Sequence, residues 1–447
     1  MKSIECRHAG RVWTKMKVRL LVSLGAVGVL LLTACRSVPK SARLPRFKLM
    51  CRRDCASHRS APPSARRTCS IGWRLARGPG QVEQLARGGD AALWGWIVAQ
   101  LDPGGLDDSA VEDVLSPLPT RGLSNAELLH EFPSLGEVAK ARGVDLGNEE
   151  AKRELQNDVD SDQLARRIDE DLETQKLVRA VESRRQLQEV LADFWFNHFN
   201  VDIDKGDVRW LLTSYERDAL RPHLFGHFRD LLGAVAHDPA MLFYLDNFQS
   251  VREQAPNPKR PNAPVRGLNE NYARELMELH TLGVTGGYTQ ADVREVARCL
   301  TGWSIERPRQ SATFSFRAKD HDEGEKVVLG VKFPANQGQA DGERLLDLLA
   351  SRPATAHFVA RKLARHFVAD DPTAALVERL AARYLTTQGD LREVYLALFA
   401  SPEFWSRQAL LKELSATART MPDGEVRPLE VGKFAGLLLG SPEFQKR

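Results

Sequence analysis

The chain has 447 residues, 43% hydrophobic and 27% charged, a balance that excludes a fibrous or wholly disordered protein and allows a large core. Its formal net charge of +4 conceals an uneven split. Residues 1–78 carry 18 Lys and Arg against Glu5 and Asp54, which leaves 45 basic and 57 acidic side chains, about −12, for the rest. A body that acidic argues against nucleic acid as a partner.

In chain order, Lys17 and Arg19 precede an uncharged apolar run over 20–32, followed by Thr33-Ala34-Cys35. A basic segment, a short apolar segment and small residues before a cysteine read as a secretory signal, too short for a permanent membrane span. Residues 1–15 fit such a signal poorly, so Met16 is the expected start. Residues 36–78 hold twelve Lys and Arg, one acid, and Cys51, Cys55 and Cys69, with no helical or alternating apolar period. Three readings stay open there: a disordered basic tether, a frameshifted stretch, or a patch for anionic lipid or nucleic acid. Cys51 and Cys55 lack a second ligand pair, so zinc is not expected, although an oxidising compartment would permit a disulfide.

From about residue 79 helical signals dominate. An amphipathic helix over 82–101 stops at Asp102-Pro103-Gly104-Gly105, and Ser124 with Glu127 forms a capping box. Residues 160–200 read as a long helical stretch, either one helix or two in series. Asp238-Pro239 starts another helix, 248–267 is a loop long enough to be functional, and Thr289 with Asp292 opens the next helix. Residues 312–317 and 326–333 alternate around Asp320 to Gly324 and read as one β-hairpin. Helical periodicity then returns over 357–368, 374–385 and 391–399. The expected fold is mainly α: a single large helical domain over 79–447 with a small β-hairpin insertion.

Chemistry concentrates in residues 267–305 (GLNENYARELMELHTLGVTGGYTQADVREVARCLTGWSI). At 100° per residue, Leu282, Leu279, Tyr272, Leu276, Ala273 and Met277 share an apolar arc, opposite Glu270, Thr281, Arg274 and Glu278. Glu275 falls inside the arc, with Asn269 and His280 on its flank. A carboxylate there must be paired, protonated or metal-bound, so Glu275 is a candidate catalytic residue or simply a packing ion pair. His198 shares a face with Leu187 and Leu191 and should point inward, as a satisfied core histidine or as a partner of Glu275 and His321. His198, His237, Glu275 and Asp322 are the candidate ligands for a divalent metal, although no Glu-x-x-His or His-x-x-x-His pair within this block supplies two ligands from one helix. Asp246 could pair with Glu275 for glycoside hydrolysis. His223 and His227 have ligand spacing on an apparently exposed side. Asp and Gly near His321 are also what a turn alone requires. Cys299, on an apolar helix face, reads as a buried inert thiol. No phosphate loop, dinucleotide fingerprint or nucleophile elbow occurs.

Several motifs in order carry a family resemblance: 92–104 (ALWGWIVAQLDPG), 194–200 (FWFNHFN), 237–247 (HDPAMLFYLDN), the 267–305 block, 321–330 (HDEGEKVVLG), 364–368 (ARHFV) and 398–405 (LFASPEFW). From about Arg74 to Trp405 the chain resembles the bacterial DUF1800 family of exported proteins without an established activity. Leu32-Thr33-Ala34-Cys35 likewise resembles a lipobox, which would make 1–35 a lipoprotein signal, Cys35 the lipidated residue and membrane lipid a partner. Arg36 in place of Asp favours the outer membrane. The family resemblance implies an exported, mainly helical protein acting beside a sulfatase-like partner in the envelope, on a small-molecule or glycan ligand it leaves unidentified. Residues 437–447 look like the family's usual end, so the resemblance implies a deletion near 406–430, and lower stability than a full-length relative is expected.

Overall fold

The structure, a computed structural model, describes residues 81–159, 164–253 and 267–406, with side chains from residue 90 onward. The expected signal segment with Cys35, the basic stretch 36–78, most of the 248–267 loop and the junction after residue 406 lie outside the described residues. Six helices come first: α1 (Gln81–Gln100), α2 (Ser109–Leu115), α3 (Asn125–Glu131), α4 (Leu135–Arg142), α5 (Glu149–Asp158) and α6 (Arg166–Glu182). The middle of the chain supplies α7 (Gln186–His198), α8 (Val208–Ser214), α9 (Phe228–His237), α10 (Pro239–Tyr244), α11 (Glu270–Glu275) and α12 (Gln290–Cys299). Strands β1 (Trp303–Glu306), β2 (Thr313–Phe316), β3 (Lys326–Val328) and β4 (Val331–Phe333) precede α13 (Ala340–Ala350), α14 (Pro353–Phe367), α15 (Ala374–Thr386) and α16 (Leu391–Phe399). The fold is mainly α. Among the described residues no helix is long and apolar enough to cross a membrane.

Short polar side chains fix where helices begin, because the first backbone N–H groups of a helix have no partner within it. Ser124 accepts from Glu127 N while the Glu127 carboxylate reaches back to Ser124, and Thr289 and Asp292 do the same for α12. Asp238 accepts from Ala240 N at 2.8 Å ahead of Pro239 at the first position of α10. The expected stretch over 160–200 is two helices, α6 and α7. Asp108 holds the break between them, accepting from Ser183 Oγ at 2.8 Å and Arg184 N at 2.7 Å.

Two π-helical turns interrupt the α pattern. At Tyr215–Leu220, Arg221 N bonds to Glu216 O, five residues back. This turn sets the Glu216 carboxylate between Arg221 (3.0 Å) and Lys176 (3.3 Å), while Arg221 also forks onto Glu189 at 2.7 and 2.9 Å. Burial works against the Glu216 charge, but the two cations outweigh it and pull its pKa to about 2. The second π turn, Leu276–Thr281, follows α11 directly.

The β insertion differs from the expected single hairpin. Strands β1 and β2 pair with each other, Trp303 opposite Phe316, and β3 pairs with β4, Lys326 opposite Phe333. Residues 313–316 are therefore the second strand of one hairpin, and 326–333 are a complete second hairpin by themselves. The β3–β4 turn is Leu329-Gly330, whose φ values of 52° and 78° match a two-residue primed turn that the strand twist favours. Trp303 and Ile305 are fully buried, and α13 lies so close on Trp303 that a Cβ at Gly342 would fall 2.2 Å from the indole. Helix α14 packs along α15 and against the second π turn, and α15 packs on α16.

Candidate functional site

The apolar stripe of α7 buries Leu187, Val190, Leu191, Phe194 and Trp195, at the spacing of one helix face, and His198 ends that face. Trp195 is locked where it lies: its indole N–H donates to Tyr395 Oη at 2.7 Å, and Tyr395 donates on to Leu224 O at 2.9 Å. His198 thus points inward, as its spacing predicts, and is 4% exposed. Its Nε2 donates to the backbone carbonyl of His280 at 3.0 Å, which leaves Nδ1 as an acceptor for Lys362 Nζ at 2.8 Å. The His280 ring lies 6.3 Å from that of His198, centroid to centroid, and its buried Nδ1 has no hydrogen-bond partner among the described residues. Three nitrogen bases from three elements meet here: His198 on α7, His280 in the second π turn and Lys362 on α14.

The π turn is what delivers His280. Leu282 N bonds to Met277 O at 2.8 Å, and Thr281 Oγ1 donates to Leu276 O at 2.7 Å, both five residues back. A wheel drawn at 100° per residue fails past this point, because a π turn adds a residue per turn. Thr281, expected on the polar side, is fully buried, while Leu279, expected in the apolar arc, is 46% exposed. Gly283 follows at φ 80°, and a Cβ there would lie 2.8 Å from the Phe358 ring. That close approach seats the end of the turn against α14, one helical turn before Lys362.

Electrostatically the cluster is all base. Burial, then the positive charge of Lys362, pushes His280 down to about 3, and burial with both neighbours holds His198 well below the ordinary imidazole range. Burial, assisted by Arg365, lowers half-buried Lys362 to about 8. Two neutral imidazoles and an amine that releases its proton near neutrality can accept protons or act as a nucleophile.

The other residues singled out from the sequence lie elsewhere, and no hydrogen bond, ion pair or ring contact joins His198, Glu275 and His321. His321 is fully buried; its Nδ1 donates to Thr301 O at 2.8 Å, and its Nε2 faces Asp341 Oδ2 at 3.2 Å. Lys326 Nζ binds the same Asp341 oxygen at 2.7 Å, Gly324 O at 3.0 Å and Asp322 O. Burial alone would raise the Asp341 carboxyl, but hydrogen bonds from His321 and Lys326 hold it below its usual value. Asp322 grips Arg298 through both oxygens, at 2.8 and 3.0 Å. His237 bonds Gly233 O at 2.7 Å and Glu343 at 2.7 Å, and stacks on Trp303. Asp246 holds Lys205 at 2.7 Å instead of facing a second carboxylate. His223 ends a 3-10 turn while His227 precedes α9, so no single helix aligns them.

Glu275 alone is uncommitted. It is half-buried with no hydrogen-bond or ion-pair partner among the described residues, and burial together with Glu278 raises its carboxyl. Among the described residues no group of three or more His, Cys, Asp or Glu side chains converges to hold a metal ion. His198, His237, Glu275 and Asp322 therefore form no shared donor set for one. Cys299 is buried, and burial pushes its thiol up, away from the reactive thiolate.

Lys362 escaped notice in the sequence. The available signal is its place beside the buried stripe Val359, Leu363 and Phe367 of α14, where a lysine has no obvious acid to meet. A family model described as "Protein of unknown function (DUF1800)" matches residues 71–420. No curated protein and no solved structure matches the chain.

Proposed function

Because the chain belongs to the DUF1800 family, whose description assigns no activity, we propose that it is a binding or scaffold protein of the cell envelope. In this reading it is exported, held to membrane lipid through Cys35 at the outer membrane, and works beside a sulfatase-like protein in a surface or glycan-related process. The observation that carries the scaffold reading is the separation of the candidate catalytic side chains. His198, His237, His321 and Asp322 each bond to a different residue, and none meets Glu275. A metal-dependent or two-carboxylate hydrolase needs those groups in one cleft. Leu279, 46% exposed, and Val284, 63% exposed, flank the end of the second π turn and offer apolar contacts to a partner.

Two measurements test this. Wild type is expected in the membrane fraction with incorporated palmitate, and Cys35→Ser should lose both; wild type recovered in the cytosol would reject the location. A Leu279→Glu, Val284→Glu double variant should lose co-purification with the sulfatase-like protein, while Glu275→Gln keeps it. The reverse pattern would return the carboxylate to the centre of the function.

A further inference from the structure

We propose that Lys362 is a nucleophilic amine that captures aldehydes as an imine, with His198 as its proton acceptor. This goes beyond the scaffold reading and does not depend on it. The argument starts from what Lys362 lacks. Lys176, Lys205 and Lys326 each meet a carboxylate, at 3.3, 2.7 and 2.7 Å. Lys362 has no such partner among the described residues; its Nζ meets His198 Nδ1 at 2.8 Å and the Phe358 ring at 5.4 Å from the centroid. The His280 carbonyl fixes the His198 tautomer by accepting from Nε2, so the nitrogen facing the amine is free to accept. Arg365 adds a second positive charge one turn along α14, and among the described residues no anion offsets it. Such surroundings favour the free amine, which lowers Lys362 to about 8.

The chemistry balances without a further reagent. The Nζ lone pair attacks the carbonyl carbon, the π electrons move to oxygen, and a carbinolamine forms. One proton leaves nitrogen through His198 Nδ1 and reaches that oxygen, which becomes the carbinolamine hydroxyl. The second N–H proton follows the same relay and departs with the hydroxyl as water when the C=N bond closes. One amine and one aldehyde give one imine and one water, with nothing oxidised or reduced. The ligand class is an aldehyde, including the open-chain form of a reducing sugar.

The test treats the full chain with glycolaldehyde and sodium cyanoborohydride from pH 6 to 10 and locates adducts by peptide mass mapping. At pH 7.5 Lys362 should label about tenfold or more faster than an ordinary exposed lysine, for which Lys332, 75% exposed, is the internal reference. Its labelling should reach half its plateau near pH 8. Lys362→Arg should abolish that adduct, with folding checked by circular dichroism. His198→Asn should slow labelling at Lys362 and leave Lys332 unchanged. Lys362 labelling no faster than Lys332 overturns the proposal, and an unaffected rate in folded His198→Asn removes the role given to His198. If a variant fails to fold, the wild-type ratio and pH profile decide alone.

Discussion

Lys326 is fully buried and Lys362 half-buried, and both have a histidine nearby, yet one difference in their partners is decisive. Asp341 accepts from Lys326 and faces His321, whereas among the described residues His198, His280 and Lys362 share no acid. Where the carboxylate is present, it draws both side chains together and the cluster works as a clasp, tying the 320–325 turn and β3 to α13. Where it is absent, proton loss is the cheapest way to bury the group. The same residue types thus give a structural ion pair in one place and a reactive base cluster in the other. The teaching is that a buried lysine must be judged by its acceptors.

The comparison can be broken most directly at Asp341. Asp341→Ala leaves the Lys326 ammonium buried without its counter-ion and should destabilise the fold by about 3–5 kcal/mol in urea unfolding. Lys362→Met, which removes a cation without a counter-ion among the described residues, should cost under about 1 kcal/mol or stabilise. Equal losses would erase the distinction.

Acid should sharpen it. The unfolded chain protonates His280 below its ordinary value of 6.5, while the fold keeps it neutral to about 3. Stability from this group is therefore full above 6.5 and is lost as pH falls toward 3. From pH 6.5 to 5 the loss should be about 2 kcal/mol, and His280→Asn should flatten the slope of unfolding midpoint against pH. Asp238 has the opposite sign: burial raises it to about 7, so its contribution is present below 3.8 and fades as pH rises through 7. Comparing the variant with wild type at each pH cancels that background.

Smaller effects probe the frame around the base cluster. Thr281→Val removes the hydroxyl bond to Leu276 O and should cost about 1 kcal/mol, measured by the same unfolding curves. Glu275→Gln touches a half-buried carboxylate with no partner among the described residues and should stay within about 0.5 kcal/mol of wild type. A loss above 2 kcal/mol there would reveal a bond that the geometry does not contain.

Much of this architecture is legible in the chain. The capping boxes at Ser124 and Thr289, the proline after Asp238 and the inward face of His198 all follow from local chemistry, because each rests on neighbours within one or two helical turns. What escapes depends on contacts distant in sequence or on a change of period. The Lys326–Asp341 pair spans 15 residues and two different elements, and His198–Lys362 spans 164. The β insertion was misread because Leu329-Gly330 is an uncommon turn pair while Asp320 to Gly324 looks like the usual one; the latter segment instead serves Arg298 and Lys326. Thr281 and Leu279 exchanged faces because a regular wheel carries no provision for a five-residue hydrogen bond.

That five-residue hydrogen bond makes the Leu276–Thr281 turn a phase shifter on the helical shaft that begins at Glu270. Tightening it to ordinary helical bonding with all its residues kept would look harmless, even favourable, to a local propensity measure. Yet the parts downstream would turn by roughly a quarter revolution. His280 would then swing off its bearing against His198, and Gly283 would lose its seat on Phe358. When relatives are aligned across this turn, the placement of a single gap therefore decides whether the histidine is judged present or lost.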